Sequence, residues 1–504
     1  MNHHLKTIVM LACCLIYGIA SGQVPGKLYE STIYGKNGIV RFDPVTAKHI
    51  VCPELNMAEE NPGTYFALTD FNTMINVRVA DNLAVQDFEI IDRLVFFCGH
   101  NLSNEGFLGW FHIDSLFYHN SSAHVDATLI ALGITDLQNI EVYHDNSELI
   151  HIAGYGLKLN YLAFEAFGDL TSMTYRILEL PKTGPRARIV DLAITDNYVV
   201  LLQHDQGPCY QKNGFGIALH PFPKNDMFPL PPPYHYYAFQ TVPYTTGYTS
   251  SGCVGLPYVL PLNDDPCHGT NPLVTHIKDN KIMVCSYRRD FNLSSWEGIS
   301  YPPCDGEETP CGGGMTGYTA TSLALRSYDL SPLAIGNPIL MTSAIHDLMP
   351  NGKVLSLDGF EYDQSSEHYI ALHRQEISGI DEHAVTTFDF SLGTPLTALS
   401  SYQTFYDTHT QWLPHSLCLT PNNEYTVCGH SNISSNYEYI FWHNSVFATS
   451  PSECDKIVSY PIDGLPLDVC KDELNYRTPS PWLPLVFIGQ SQVKETIDVS
   501  KICE

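Results

Sequence analysis

Six stretches of the chain repeat one short pattern: an apolar or alternating strand, a turn rich in Asp, Asn or Pro, and a second strand of β-branched and aromatic residues. They read "VQDFEIIDRLVFFCGH" from Val85, "NIEVYHDNSELIHIAGYG" from Asn139, "IVDLAITDNYVVLLQHD" from Ile189, "PLVTHIKDNKIMVCSYRRD" from Pro272, "KVLSLDGFEYDQSSEHYIALHRQ" from Lys353 and "HSLCLTPNNEYTVCGHSN" from His415. Asp92, Asp145, Asp196, Asp279, Asp363 and Asn422 occupy the turns, where their side chains cap the local backbone and tolerate the left-handed conformation. A unit this short cannot bury its own apolar face, so copies must stack into a shared core.

Five of the six units run on through a polar loop into a third, aromatic strand: "GFLGWFHI", "NYLAFEAF", "GFGIALHPF", "AVTTFDF" and "YEYIFWH". The unit at Pro272 reaches "TATSLALRSYDL" only after a long loop, and "MTYRILEL" supplies a weaker fourth strand in the second unit. Three or four antiparallel strands per unit, repeated around a ring, is the sequence picture of a β-propeller. Successive turns lie 53, 51, 83, 84 and 59 residues apart. A four-stranded blade takes roughly 40–50 residues, so the two long intervals carry insertions. These fall at about 221–267 and 290–317, are rich in Pro, Tyr and Gly, and read as long surface loops.

The ends hold the hairpin-like "NGIVRFDPVTAKHIVC", the strand-like "TMINVRVA" and "PLVFIGQSQVKETIDVS". A ring removes its edges only if its last blade closes on its first. The two ends are therefore expected to complete a seventh blade together, with Cys52 and Cys503 in it; six blades with the ends as extensions is the alternative. No helix-period segment of useful length follows the leader, so the expectation is all-β, with 23–504 forming one propeller domain.

Residues 1–22 have the form of a signal peptide: Lys6, an apolar run from Ile8 to Ile19, and an exit through Ala20, Ser21 and Gly22. Lipidation at Cys13 or Cys14 is the alternative, although the apolar run continues past both. No later segment is apolar and long enough to be transmembrane. The expected location is secreted or in the cell envelope, at the periplasm or outer surface. Of fifteen cysteines, thirteen follow the leader; Cys304 with Cys311 and Cys253 with Cys267 bracket turn-rich segments and are the expected local disulfides. No CxxC pair points to structural zinc. A formal charge of −28 argues against nucleic acid and anionic membrane as partners.

The run "FEIIDRLVFFCG....GFLGWFHI", with the later "IVDLAITDNYVVLL", resembles uncharacterised secreted β-propeller-like proteins of gut Bacteroidota. The resemblance implies a propeller and an exported protein, and brings no catalytic residues with it.

Cys98-Gly99-His100 puts a thiol and an imidazole two residues apart, hence on one face of a strand. The triplet returns as Cys428-Gly429-His430 at the same place in another unit, so it reads as a structural mark of the repeat rather than a nucleophile and base. No HExxH, His-x-His, EF-hand spacing or GxSxG is present, and no catalytic residue, metal or cofactor is assigned. The Tyr-rich insertion is the expected ligand-binding element, through Tyr234, His235, Tyr236, Tyr237, Tyr244 and Tyr248, with Trp296 and Tyr301 from the second insertion. Aromatic loops on a rigid scaffold give contact area at low entropic cost. The expected function is binding or scaffolding of a glycan, peptide or protein through loops on one face. The alternative is a polysaccharide hydrolase or lyase with its carboxylates at the tunnel mouth.

Overall fold

The computed structural model describes residues 27–34, 36–54, 63–69, 73–81, 83–116, 127–135, 137–144, 149–156, 162–170, 172–180, 188–205, 216–224, 234–239, 273–291, 318–335, 340–346, 352–364, 367–377, 380–389, 400–405, 412–421, 424–431, 438–445, 455–460, 469–474, 481–484, 488–490 and 494–503. The fold is all-β and every strand pair is antiparallel; the helical elements among the described residues are short 3-10 turns, Ile113–Leu116 and Ser331–Ile335. Among them, no helix is long and apolar enough to cross a membrane.

Four-stranded groups follow one another along the chain, spanning 36–81, 83–135, 137–179, 188–239, 273–346 and 352–405. A seventh takes three strands from 412–445 and its fourth from the N-terminal strand Lys27–Tyr34, which pairs with Glu438–Ser445. The hairpins and third strands expected from the repeat are all present, as is the fourth strand Thr174–Glu179. Left-handed backbone at Asp92 and Asp279 confirms the turn role of two of the six turn residues.

The two ends meet in one sheet, Leu28 opposite Cys503 and Lys494 opposite Val77, and Cys52 and Cys503 both lie in it; what differs from the expectation is how the strands divide between neighbouring four-stranded groups. Cys52 lies in Lys48–Glu54 of the first group, whose four strands are all its own. Lys27–Tyr34 completes the seventh group instead, and the last strand, Lys494–Cys503, bridges it to Thr73–Asp81 of the first. The result is one nine-stranded sheet.

The segment after residue 445 supplies outer strands. Asp455–Tyr460 adds to the sixth group, Val469–Leu474 to the fourth, Leu483–Pro484 to the third and Ile488–Gln490 to the second. The tail thus visits the groups in the reverse of their order along the chain.

The core lies between neighbouring sheets. Phe66, Phe88, Phe97 and Phe111 fill the space between the first and second, with ring centroids 5.1–5.4 Å from Phe66. Phe96, Cys98, Leu108, Ile140 and Ile152 fill that between the second and third. Period two explains the split: on Leu94–Asn101, Val95 and Phe97 feed one core and Phe96 and Cys98 the other. Each such ring or aliphatic chain removed from water contributes about 1.5–3 kcal/mol. Similar layers join the third to the fourth, the fourth to the fifth and the sixth to the seventh.

The first strands of the groups touch in sequence. Lys36–Asp43 packs against Leu83–Ile91, that strand against Leu137–His144, and the series continues through Arg188–Ile194, Leu273–Lys278, Gly352–Asp363 and Trp412–Thr420. Trp412–Thr420 in turn packs against Lys36–Asp43.

Candidate functional site

The first strands carry a repeated irregularity. Pairing register shifts between Val85 and Asp87, Ile189 and Asp191, and Pro414 and Ser416. A bulge re-aims the side chain that follows it. Here each re-aimed polar group accepts a backbone N–H from the first strand of the next group. Asp87 accepts from Ile140 at 3.1 Å, Asp191 from Val274 at 2.7 Å, and Ser416 from Val40 at 3.1 Å. The last of these runs from the seventh group to the first.

Charge collects along the same strands. Arg41 follows Val40 and donates from Nε to Glu89 at 2.7 Å and from its NH2 nitrogen to Asp87 at 3.2 Å; its guanidinium lies 5.9 Å from the Phe88 centroid. Burial would lower the Arg41 pKa, but Glu89, Asp87 and Glu361 outweigh it and hold the group above its usual range. Burial pushes Asp87 up to about 7 and Glu361 up to about 7, against the pull of Arg41 on both. Glu141 is also driven upward, by burial first and then by Glu89, Asp191, Glu361 and Asp87. Carboxyl groups from the second, third, fourth and sixth groups and a guanidinium from the first therefore lie within electrostatic reach of one another. Cys418 of the seventh group feels the same set, and burial raises its thiol. The side chains of Arg41 and Glu89 keep 20% and 23% of their surface exposed, so solvent or a ligand reaches them. Chemically, this is a polar centre that holds protons near neutrality, with one fixed cation. Among the described residues no group of three His, Cys, Asp or Glu is placed to hold a metal ion.

The residues singled out in the sequence lie elsewhere. Tyr234, His235, Tyr236 and Tyr237 belong to the strand Tyr234–Phe239, paired with Gly216–Pro223 on one side and Val469–Leu474 on the other, rather than to a loop. Tyr244, Tyr248, Trp296 and Tyr301 lie outside the described residues, as do Cys253, Cys267, Cys304, Cys311 and the leader. Cys98 is buried, and burial, followed by the negative Asp87, drives its thiol pKa well up, away from the thiolate a nucleophile needs. Gly99 is required for packing: a Cβ there would stand 1.8 Å from the Ala84 carbonyl oxygen. The charged centre leaves no local motif in the sequence because its members are single residues on separate first strands, Arg41 and Glu89 already 48 positions apart. The available signal was their recurrence on first strands: Arg41, Glu89, Glu141 and Glu361.

No protein-family model and no curated protein matches the chain. Among solved structures, the S. cerevisiae core factor is similar at 8% identity and a TM-score of 0.26, over 85% of this chain and 62% of its own. A protein of unknown function from Dyadobacter fermentans DSM 18053 is similar at 10% identity and a TM-score of 0.23, over 72% of this chain and 99% of its own. Likenesses at these scores carry no argument for fold or activity.

Proposed function

We propose that the four-stranded groups are the blades of a seven-bladed β-propeller, and that the protein is an exported binding protein whose ligand is a glycan. The blade reading is supported by the succession of first-strand contacts and by the Ser416–Val40 hydrogen bond, which joins the seventh group to the first. The single observation that carries the ligand reading is the centre around Arg41, Glu89, Glu141 and Glu361. Asp87 and Glu361, pushed by burial up to about 7, can both donate and accept hydrogen bonds, and the Arg41 guanidinium donates in a fixed fork; together they suit paired hydroxyls better than an apolar peptide anchor. The overall charge of −28 disfavours a polyanionic glycan. A glycan array probed with the wild-type chain and with Arg41→Lys tests this. The expected result is binding to neutral glycans, weakened at least tenfold in the variant. Silence on glycans with retained binding to a peptide or protein array overturns it.

A second reading, a polysaccharide hydrolase or lyase at the same centre, is favoured by one observation: Glu361 and Asp87 are both held at about 7, the range of a general acid, beside Glu89. Asp87 is committed to Ile140, which leaves Glu361 as the acid of that reading. Product release from a polysaccharide panel, abolished by Glu361→Gln, would establish it, and no release across the panel would remove it.

A further inference from the structure

Asn101 closes the second strand of the second group and opens a turn of sequence Asn101-Leu102-Ser103-Asn104-Glu105. We propose that Asn101 carries an N-linked glycan. The proposal rests on the export of the chain, and not on its placement in a bacterial envelope or on what the protein binds.

Asn-x-Ser is the acceptor sequence for N-glycosylation, and in an exported protein it must sit on a surface turn to be usable. The geometry of this turn meets that need. The Asn104 N–H donates to the Asn101 carbonyl at 2.9 Å, and Asn104 takes the left-handed φ of 60° that tightens the turn. The Asn101 side-chain Oδ1 accepts from the Ser103 N–H at 2.9 Å and from the Glu105 N–H at 3.0 Å. An Asx turn of this kind orders the acceptor amide against the hydroxyl residue two places on. The Nδ2 group has two hydrogens, and the fold uses one, in a 2.8 Å bond to Glu105 Oε2 at the surface. The other is available for replacement, so the modified side chain keeps both its Oδ1 bonds and its Glu105 bond. Leu102, at the tip of the turn, is 60% exposed, which places the turn at the surface.

The same place in another unit repeats the signal. Asn101 follows Cys98-Gly99-His100, and Asn432-Ile433-Ser434 follows Cys428-Gly429-His430 with one residue between. The ligand is a lipid-pyrophosphate-linked oligosaccharide. Asn101 Nδ2 forms a bond to C1 of the terminal sugar, the C1–O bond to the pyrophosphate breaks, the lipid pyrophosphate leaves as its anion, and one amide proton passes to a base of the transferase. No electrons are exchanged with a further reagent.

The test is peptide mass analysis of the full chain isolated from the cells that make it, before and after peptide N-glycanase, with the mature N-terminus read on the same sample. The expected result is a cleaved leader and a peptide around residue 101 that loses a sugar mass and gains the difference between an amide and an acid. In a secreting eukaryotic host, Ser103→Ala should abolish that occupancy and Ser103→Thr should retain it, while Asn101 and its turn stay in place. A secreted, leader-free native chain with residue 101 unmodified overturns the proposal and leaves export standing. A chain kept inside the cell with its leader uncleaved overturns export and this proposal together.

Discussion

Replacing Asp191 by Asn should change how the stability of the protein responds to pH. Asp191 is 6% exposed and accepts the Val274 N–H at 2.7 Å. Burial pushes its pKa from 3.8 to about 8, more than the N–H donors of Val274 and Leu192 pull it back, with Asp87 and Glu361 adding to the rise. Between those two values the folded chain holds a proton that the unfolded chain has lost. Stability therefore falls as pH rises through that window, by up to about 1.4 kcal/mol per pH unit from this group. At pH 6 the loss is about 3 kcal/mol relative to pH below 4. Asn keeps a carbonyl oxygen for the Val274 N–H and cannot ionise. In urea titrations at fixed ionic strength from pH 4 to 8, the two proteins should match at the acid end. The variant should then gain on the wild type by about that slope. A gap that stays constant refutes the reasoning. So does a wild type that gains with rising pH, since the carboxylate would then be ionised in the fold and its N–H donors would outweigh burial.

Gly99→Ala should lower the unfolding free energy by about 1–3 kcal/mol or more, because the new methyl meets the Ala84 carbonyl oxygen at 1.8 Å; an unchanged urea midpoint would show that the strands part at no cost. Glu165→Gln should cost about 3–5 kcal/mol, since Arg176 is 2% exposed and bonds Glu165 from Nε at 2.7 Å, and a variant as stable as wild type in the same titration would count against it. Cys98, Cys418 and Cys428, buried with raised thiol pKa values, should resist a thiol-labelling reagent in native buffer and react on denaturation. Rapid native labelling at any of the three would mean that its surroundings open readily.

What was legible in the sequence was local. A hairpin such as "FEIIDRLVFFCG" announces itself because its turn residue and both flanking strands lie within twenty positions, and period two assigns its faces. Third strands were legible for the same reason. The pairing of Lys27–Tyr34 with Glu438–Ser445 was not, because backbone hydrogen bonds across four hundred residues leave no mark on either strand's composition. The Pro-, Tyr- and Gly-rich composition around Tyr234–Phe239 points to a loop, yet its neighbours on both sides make it a strand. The charged centre failed for a third reason. Arg41 and Glu361 look like ordinary solvent-facing residues of alternating strands, and only the meeting of first strands turns their outward faces toward each other.

The tail that lays outer strands on four groups and then bridges the first to the seventh has a consequence for synthesis. As the chain emerges, Lys27–Tyr34 appears early but has no partner until Glu438–Ser445 has been made. The edges of Tyr234–Phe239 and Thr174–Glu179 likewise wait for Val469–Leu474 and Leu483–Pro484, which are made long after them. Contacts of this sequence separation are slow to close, and the early strand meanwhile presents open backbone groups to any other chain nearby. The sheet that joins the seventh group to the first therefore closes only once Lys494–Cys503 has been made, Leu28 opposite Cys503, and a chain cut short of that strand keeps its four-stranded groups with that seam unsewn.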